Sequence, residues 1–456
     1  MKPQNSASDQ HSAYVWFRDA AEQGNPYAQF NLALLYKKGQ GVAQNAEQAF
    51  GWMRLAALHG LAFAQNHLGA MYYSGRGVAV DDAEAAAWFR RAAIQGDASA
   101  QQNLGQMHKK GRGVPQSDEL ALSWFCRAAE QGVASAQTLL GEAHWHGCGT
   151  QRDYRLALAW FRKAALLGDA GAQLNLGLMY RQGHGVARSD VQALAWFRQA
   201  AAQGSAVAQR QLGVAYAEGR GVAEDRHRAC AWLTRAAEQG DADAQFNLGV
   251  MLANGYGVAR DEVRASGWYR RAAEAGHMLA QYNLGGMYAH GRGVPQDGAE
   301  ALAWYRKAAE QGAPNAQFNV GVMYANGQGV EADPACAAAW YRAAAGQGDA
   351  SAQNNLGVMY ASGQGLRRND AAAVRYYRLA AEQGHALAQY NLGGMYHHGR
   401  GVPRDAVRAY MWIALAAEAG DQAAGSHREL IARSLTPAEL SSAQVLAQRW
   451  RQTHGN

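Results

Sequence analysis

The sequence has 456 residues, of which 48% are hydrophobic and only 8 are proline, a composition typical of a helical protein in which alanine supplies much of the apolar share. A formal net charge of +6 is a mild excess for this length and does not by itself indicate nucleic-acid binding. No apolar run reaches the length of a transmembrane helix or a signal peptide, so the sequence as it stands predicts a cytoplasmic protein, or a periplasmic or secreted one if a signal peptide has been removed.

The beginning of the chain lacks the pattern of the central region. Residues 1–13 are predicted to be a disordered segment, and a tandem repeat array is predicted from residue 14 to residue 420. The array opens in mid-repeat, because Trp16 to Gly24 match the second helix of the repeat without its first helix. An atypical end is expected of a solenoid, since a terminal repeat presents one face to water.

Each repeat begins with a predicted helix, here called helix A. Its marker is an Ala-Gln pair that recurs every 36 residues, starting at Ala28, Ala64, Ala100, Ala136, Ala172, Ala208, Ala244, Ala280, Ala316, Ala352 and Ala388. An apolar residue follows four positions after the alanine and usually a tyrosine eight positions after it, as at Leu32 and Tyr36. Positions i, i+4 and i+8 lie on one face of a helix, and this face is predicted to be buried.

A Gly-x-Gly turn follows helix A in every repeat, from Gly39 and Gly41 to Gly399 and Gly401. Glycine after a helix fits the left-handed C-cap conformation that other residues resist. An Asn, Asp or Ser then recurs, as at Asn45, and these are the preferred N-cap residues. The pattern predicts a turn followed by a second helix, here called helix B.

Helix B carries an alanine and, three residues later, an aromatic residue that is Trp in every repeat except at Tyr376. A large ring beside small alanines is a close-packing pattern, so the tryptophans are predicted to be core residues. After the array, residues 421–456 are predicted to form capping helices. There Thr436, Pro437 and Glu439 read as the N-cap, first position and acidic first turn of a last helix that reaches about Arg451.

The run AQxxLGxxYxxGxGV, with the later Asp, Ala and Trp-x-x-x-Ala-Ala, resembles the Sel-one-like repeat family, a relative of the tetratricopeptide repeats. Residues 244–275 show it well, with Leu252 in place of tyrosine, and the match covers about residues 14–420. The resemblance implies an all-α solenoid, a right-handed superhelix of about eleven to twelve helix–turn–helix repeats. It also implies an adaptor that assembles protein complexes, and bacterial members include proteins used in host interaction and envelope processes.

The cysteines share neither a spacing nor a position in the repeat; they are Cys126, Cys148, Cys230 and Cys336. A repeat protein stapled by disulfides carries a pair in each repeat, so these are predicted to be free thiols, which is compatible with a reducing compartment. One bacterial branch of the resembled family has such a pair in each repeat, and this sequence lacks it.

Several patterns that could carry chemistry have simpler explanations. His144, His146 and Cys148 could bring soft metal ligands together, but degeneration of the repeat explains them equally well, and no metal or other cofactor is predicted. The glycine turns follow a helix rather than a strand, which disfavours phosphate binding. No catalytic residues are predicted, although an envelope- or cell-wall-related enzyme or regulator, with residues gathered across repeats, is kept as an alternative.

Helix B also carries recurrent arginines at Arg18, Arg54, Arg90, Arg162, Arg198, Arg270, Arg306, Arg342 and Arg378. They could form a basic stripe for RNA. Glutamates lie four residues later at Glu22, Glu274, Glu310 and Glu382, so ion pairing along an exposed face is the favoured interpretation. Nucleic acid is therefore the less favoured partner.

The side of helix A opposite its buried face is the predicted binding surface. At about 100° per residue, this side carries the positions equivalent to 27, 30, 34, 37 and 38. In tetratricopeptide-like superhelices these positions line the concave groove, and the resemblance implies the same here. The predicted partner-binding residues are Tyr27, Phe30, Lys37, Lys38, Tyr73, Lys109, Lys110, Phe246, Val250, Tyr282, Phe318, Val322, Val358 and Tyr390.

An asparagine ladder lies beside this surface, and its predicted partner-binding members are Asn247, Asn283, Asn319, Asn355 and Asn391. Asparagine is a mediocre helix former, so its recurrence calls for a reason. Two reasons stay open: hydrogen bonds between the helices of a repeat, or amide contacts with the backbone of a bound peptide. The predicted function is a non-enzymatic scaffold or adaptor that binds a protein or peptide in the groove.

Overall fold

A computed structural model describes residues 7–420 and 422–454, and all regular secondary structure in them is helical. The chain forms two compact units, residues 1–232 and 233–456. Unit 1 contains α1 (Ala7–Glu22), α2 (Pro26–Lys38), α3 (Ala46–Leu58), α4 (Ala62–Ser74), α5 (Asp82–Ile94), α6 (Ala98–Lys110), α7 (Asp118–Glu130), α8 (Ala134–His146), α9 (Tyr154–Leu166), α10 (Ala170–Gln182), α11 (Asp190–Ala202), α12 (Ala206–Glu218) and the first part of α13 (Arg226–Glu238). Unit 2 contains the rest of α13, α14 (Ala242–Asn254), α15 (Glu262–Glu274), α16 (Met278–His290), α17 (Gly298–Glu310), α18 (Pro314–Asn326), α19 (Pro334–Gly346), α20 (Ala350–Ser362), α21 (Asp370–Glu382), α22 (Ala386–His398), α23 (Ala406–Glu418), α24 (Gln422–Ala432) and α25 (Pro437–His454).

The even-numbered helices from α2 to α22 are the predicted A helices and the odd-numbered ones from α3 to α23 are the B helices, so the predicted all-α repeat solenoid is confirmed. The predicted N-caps of helix B are also confirmed: the Asp81 carboxylate accepts from the backbone N–H of Glu84 at 2.9 Å, and Asp405 accepts from Arg408 at 2.8 Å. These bonds satisfy backbone donors that the first turn of a helix leaves free.

The two glycines of each turn have different tasks. The first, such as Gly111, ends helix A in the left-handed conformation at φ 64°. The second, such as Gly113, also has a positive φ of 65°, and it lies against the start of the preceding helix B. A Cβ atom there would stand 1.9 Å from the carbonyl oxygen of Asp82, so the close approach of successive repeats excludes any side chain.

The tryptophans of helix B are not the centre of the core, which corrects the prediction from the sequence. Trp88, Trp304 and Trp412 are buried, but most are half-buried and Trp16 is 66% exposed. They lie at the rim of the packed layer, where cations stack on them: Lys163 Nζ lies 4.2 Å from the ring of Trp160.

The core position is the next residue along helix B, and in most repeats it is Phe or Tyr. Phe161 is fully buried, and the ring of Phe197 lies directly on helix A of its own repeat. A Cβ atom at Gly177 would stand 2.4 Å from the Phe197 ring, so the glycine after the helix A leucine makes room for the aromatic ring.

A glutamine ladder joins successive B helices. The Gln101 side chain donates from Nε2 to the Ala93 carbonyl at 3.2 Å and accepts from Gln131 Nε2 at 2.8 Å. The same paired arrangement occurs at Gln65–Gln95, Gln173–Gln203, Gln281–Gln311, Gln317–Gln347 and Gln353–Gln383. The helix A glutamines are buried and their partners at the end of helix B are exposed, and each pairing satisfies a buried polar atom that would otherwise be stranded.

The ladder is interrupted in the repeats where the residue 30 positions after the buried helix A glutamine is not itself glutamine. Those positions are His59, Leu167, Ala275 and Ala419. The four corresponding buried oxygens, on Gln29, Gln137, Gln245 and Gln389, have no hydrogen-bond partner among the described residues. The identity of one exposed residue at the end of helix B therefore decides whether a buried amide is satisfied.

The N-terminal helix starts earlier than the sequence predicted. Residues 1–6 of the expected disordered segment lie outside the described residues, but residues 7–13 form the first turns of α1. Directly after this stretch, α1 contacts α2, because the Tyr14 hydroxyl lies 3.1 Å from the Tyr36 hydroxyl.

The last two helices pack on α23. Ile431 of α24 and Ala443 of α25 join the same apolar cluster as Trp412. Thr436 and Glu439 form the predicted capping box, with the Thr436 N–H donating to the Glu439 carboxylate at 2.8 Å. The helix they begin extends to residue 454.

Candidate binding groove

The aromatic residues predicted to point away from the core are half-buried. Phe246, Tyr282 and Phe318 each lie against the buried tyrosine of helix B in the same repeat, with ring centroids 5.5 to 5.9 Å apart. The prediction that these rings face away from the core is therefore only half right. Each ring packs on the core tyrosine and stays partly exposed, and Phe246 is also stacked on His277 at a centroid distance of 4.5 Å.

Tyr390 differs from the other members of this aromatic row. Its ring stacks on His427 of α24 at a centroid distance of 5.3 Å, and the Tyr390 hydroxyl is hydrogen-bonded to Nδ1 of that histidine. The C-terminal helices thus occupy part of the surface at the end of the row.

Between the aromatic residues, the predicted valines alternate with glycine. Val250 and Val322 are half-buried and Val358 is 41% exposed, whereas the equivalent residues in two other repeats of unit 2 are Gly286 and Gly394. Each of these glycines lines a cavity, of about 580 Å³ at Gly286 and about 370 Å³ at Gly394. Sequence reasoning missed these glycines, although the doubled glycine in the two LGGMY runs was a visible signal.

The floor of the larger cavity is made of hydroxyls and amides. Tyr269 and Tyr305 line it together with Asn283 and Asn319. Burial raises the pKa of both tyrosines to about 12, against a smaller opposing effect of the asparagine amides and of Arg292. The rings thus belong to the core while their hydroxyls remain neutral and reach the groove.

The asparagine ladder has several kinds of neighbour. Asn391 donates to Asn354 at 3.0 Å, between adjacent A helices, and Asn355 faces the buried Tyr341 of the preceding repeat. Asn247 is half-buried, and the core residue of the preceding repeat, Leu233, has no hydroxyl to offer it. Asn283 and Asn319 combine a tyrosine neighbour with a place in the cavity wall, so bonding between helices and contact with a ligand are compatible there.

The charges in this cavity come from Arg260, Arg292 and Glu262. Glu262 forms an ion pair with Arg260. Arg292 has no carboxylate within 4.0 Å in the part of the chain that the structure describes, whereas its counterpart Arg400 is bound to Asp370 at 2.9 Å. The cavity therefore contains one guanidinium group without an internal counter-ion.

The sequence and the fold agree with one known family. The Sel1 repeat family matches residues 4–25, 26–61, 62–97, 98–133, 134–169, 170–205, 206–241, 242–277, 279–312, 314–349, 350–385 and 386–421. The chain belongs to the Sel1 repeat family. Sel1 repeats form a scaffold that commonly mediates protein–protein interactions.

Two solved structures of bacterial Sel1 repeat proteins are similar to this chain. The crystal structure of c5321, a protective antigen present in uropathogenic Escherichia coli strains, displays an SLR fold, is 36% identical and covers 97% of this chain and 95% of its own, with a TM-score of 0.78. A Sel1 repeat protein from Oxalobacter formigenes is 34% identical and covers 69% of this chain and 94% of its own, with a TM-score of 0.52. A search of the curated proteins finds no match.

In unit 1 the same side of the Sel1 repeats is basic. Lys37 and Lys109 are half-buried, and Lys38 and Lys110 are exposed. A cavity of about 430 Å³ is lined by Lys37, His67 and Arg76, and burial, reinforced by the lysine, lowers the pKa of His67.

The aromatic residues predicted in unit 1 are only partly accessible. Tyr27 is 61% exposed, and Phe30 packs edge-on against Phe63 at a centroid distance of 4.5 Å. Tyr73 is covered on one face by the guanidinium of Arg112, 4.0 Å from its ring. Only the part of the half-buried Tyr73 ring that Arg112 does not cover is available to a partner.

The helix B arginines of the Sel1 repeats are engaged differently from the prediction. Within the described residues, only Arg18 and Arg306 form the expected pairs with the glutamate four residues later, at 3.9 and 2.9 Å. Four others donate to the tyrosine at the end of the next helix A: Arg162 to Tyr180, Arg198 to Tyr216, Arg270 to Tyr288 and Arg378 to Tyr396. Much of the basic stripe is therefore used to join helices.

The remaining sequence features do not form a second site. In residues 7–420 and 422–454, no group of three or more His, Cys, Asp or Glu side chains could hold a metal ion, and His146 instead stacks on Trp145. Cys126, Cys148 and Cys336 form no disulfide. In the same residues, no helix combines the length and apolarity needed to cross a membrane.

Proposed function

We propose that this Sel1 repeat protein is a non-enzymatic scaffold that binds an extended segment of a protein partner in the groove lined by helix A residues. The observation that carries the proposal is the row of half-buried rings at Phe246, Tyr282 and Phe318 in unit 2, each packed on a core tyrosine and still partly exposed. Aromatic anchors that are already held in place bind with little loss of side-chain entropy.

The valines and asparagines between the rings support the same proposal. Val322 and the more exposed Val358 add apolar area beside the rings, and Asn283 and Asn319 add amides that can bond to a peptide backbone. Exposed apolar rows of this length are uncommon without a binding role. In unit 1, Tyr27, Phe30 and the lysines belong to the proposal as a basic and aromatic binding surface of that unit.

The test is a double substitution, Tyr282→Ala with Phe318→Ala, in the full chain. A partner obtained by co-purification from the native organism is produced separately, and its affinity is measured by isothermal titration calorimetry. Truncation of two interface anchors is expected to weaken binding by tens of fold or more, since each costs on the order of 2 kcal/mol. Melting followed by circular dichroism should show a moderate decrease in Tm, because both rings also contact the core.

The matched control is Arg306→Ala with Arg342→Ala, two exposed helix B positions in the same repeats. It should leave the affinity unchanged. If the control abolished binding while the aromatic pair did not, the groove proposal would fail and an acidic partner on helix B would replace it. If the aromatic pair unfolded the chain, the rings would be core residues and not anchors.

A further inference from the structure

The glycine at position 286 requires an explanation that packing does not provide. The groove-lining residues at this position of the repeat are Leu34, Ala70, Gln106, Glu142, Leu178, Val214, Val250, Gly286, Val322, Val358 and Gly394. Glycine inside a helix is destabilising relative to alanine. A Cβ atom at Gly286 would lie 3.3 Å from the Tyr305 hydroxyl and 3.9 Å from Nη2 of Arg292, so the absence of a side chain keeps both polar groups open to the groove.

In two other repeats the arginine at this place is held by an aspartate. Arg112 and Arg400 each lie between the two turn glycines of their repeat. Each is held in a bidentate ion pair by the aspartate 30 residues earlier, Asp82 and Asp370 respectively. The corresponding residue for Arg292 is Glu262, which pairs with Arg260 instead. Among the described carboxylates none lies within 4.0 Å of Arg292, and its guanidinium therefore remains available on the cavity wall.

Four neutral side chains around Arg292 can donate hydrogen bonds. The Tyr269 and Tyr305 hydroxyls and the amides of Asn283 and Asn319 line the same cavity. A guanidinium with nearby neutral donors matches a carboxylate, whose two oxygens accept up to four hydrogen bonds. Glu262 is the only acidic residue in this lining, and Arg260 offsets its charge.

We propose that the cavity at Gly286 binds the carboxylate of an aspartate or glutamate side chain in an extended partner segment, with Arg292 as the charged contact. The proposal rests on the groove function proposed above and adds the chemistry that the partner must have there. An internal side chain is favoured over a chain terminus because the cavity adjoins a second one of about 650 Å³, which shares His290, Tyr305 and Asn319. A peptide can therefore continue past the carboxylate site.

The experiment is selection from a displayed library of random twelve-residue peptides on the purified full chain. Peptides selected on the wild type should carry Asp or Glu at one position between apolar residues. The Arg292→Gln and Gly286→Val variants should select peptides without this preference. Valine is a fair replacement, because Val250, Val322 and Val358 occupy the same place in neighbouring repeats.

The matched control is Gly394→Val, which fills the other glycine cavity, where Arg400 is already bound to Asp370. It should retain the acidic preference, and thermal melting should show all the variants folded. Selection of peptides without any acidic preference by the wild type would overturn the carboxylate site and leave the groove function standing. Failure to select any peptide would count against both.

One selected peptide, labelled with a fluorophore, separates the two sources of a carboxylate. Replacing its acidic residue by the amide is expected to weaken binding at least tenfold in fluorescence anisotropy, and amidating its C-terminus should have no effect. If amidation alone abolished binding, the cavity would bind a chain terminus, and the side-chain proposal would be wrong.

Discussion

Units 1 and 2 use the same packing but different core rings. The ring that lies on the helix A glycine is phenylalanine in unit 1, at Phe89, Phe125, Phe161 and Phe197, and tyrosine in unit 2, at Tyr269, Tyr305, Tyr341 and Tyr377. A Cβ atom on the facing glycine would be 2.4 to 2.8 Å from the ring in both sets. The repeat thus adds a hydroxyl to the groove floor without changing how its helices pack.

The two units also differ in charge on the groove side of helix A. The position that is lysine at Lys37 and Lys109 in unit 1 is alanine at Ala253, Ala289 and Ala325 in unit 2. Unit 1 therefore offers cations beside its aromatic residues, whereas unit 2 offers rings, hydroxyls and amides around the cavity that Arg292 lines. The comparison indicates that the buried layer fixes the fold and that a few groove positions fix the binding chemistry.

The largest effect is expected from removal of a core ring. Phe197→Ala in unit 1 and Tyr341→Ala in unit 2 should each cost about 3–5 kcal/mol, because both rings are buried against a helix with no space to collapse. Trp196→Ala should cost clearly less, because Trp196 is only half-buried. Denaturant unfolding gives the free energies, and hydrogen exchange should show the loss first in the affected repeats. An equal cost for Trp196 and Phe197 would contradict this assignment of the core.

Two kinds of helix A glycine should respond with opposite sign. Gly177→Ala in unit 1 and Gly249→Ala in unit 2 force a methyl group into a ring, and each should destabilise the chain by about 1–3 kcal/mol. Gly394→Ala has no atom within 4 Å of the new methyl group and should stabilise it by about 0.5–1 kcal/mol. Thermal melting of the three variants is sufficient, and a loss of stability at Gly394 would show that its absence of a side chain is structural.

The glutamine ladder can be repaired once in each unit. Leu167→Gln in unit 1 and Ala275→Gln in unit 2 provide a donor for the unpartnered oxygens of Gln137 and Gln245. Each is expected to add about 0.5–1.5 kcal/mol, the net value of one hydrogen bond. Gln131→Ala breaks an existing pair and should cost a similar amount. No gain at either repaired position would mean that the buried oxygens are already satisfied by water.

The sequence alone predicted the repeat, its turns and its caps because each depends on local chemistry. Gly111 ends a helix through its own backbone conformation, and Asp81 and Thr436 cap the first turn of the helix that follows them. The first two kinds of residue also recur every 36 residues. Which of two adjacent helix B residues is buried was harder to predict. Trp196 and Phe197 are adjacent and both apolar, and only the position of the neighbouring repeat decides which one is covered.

The groove was predictable in outline and not in detail. Helical spacing predicted that Tyr282 and Phe318 face away from the core, but it did not predict the half-burial that results from contact with Tyr305 and Tyr341. The availability of Arg292 depends on a carboxylate 30 residues away that turns to a different arginine. Such a choice among partners is a property of side-chain conformations, which a spacing does not encode.

The smallest effect concerns the bound counterpart of that arginine. Hydrogen bonds from Arg368 and Arg400 lower the pKa of Asp370 to about 2, below the value of about 3.9 expected in the unfolded chain. Because the folded state favours the charged form, this contribution to stability is complete above about pH 4 and disappears as the pH falls through about 2. Asp370→Asn should therefore lower the Tm slightly at pH 7 and make no difference near pH 2. Arg292→Gln, at the position without a carboxylate partner, should leave the acid limb of the Tm profile unchanged, and a parallel loss in both variants would mean that Arg292 is also paired with an acid in solution.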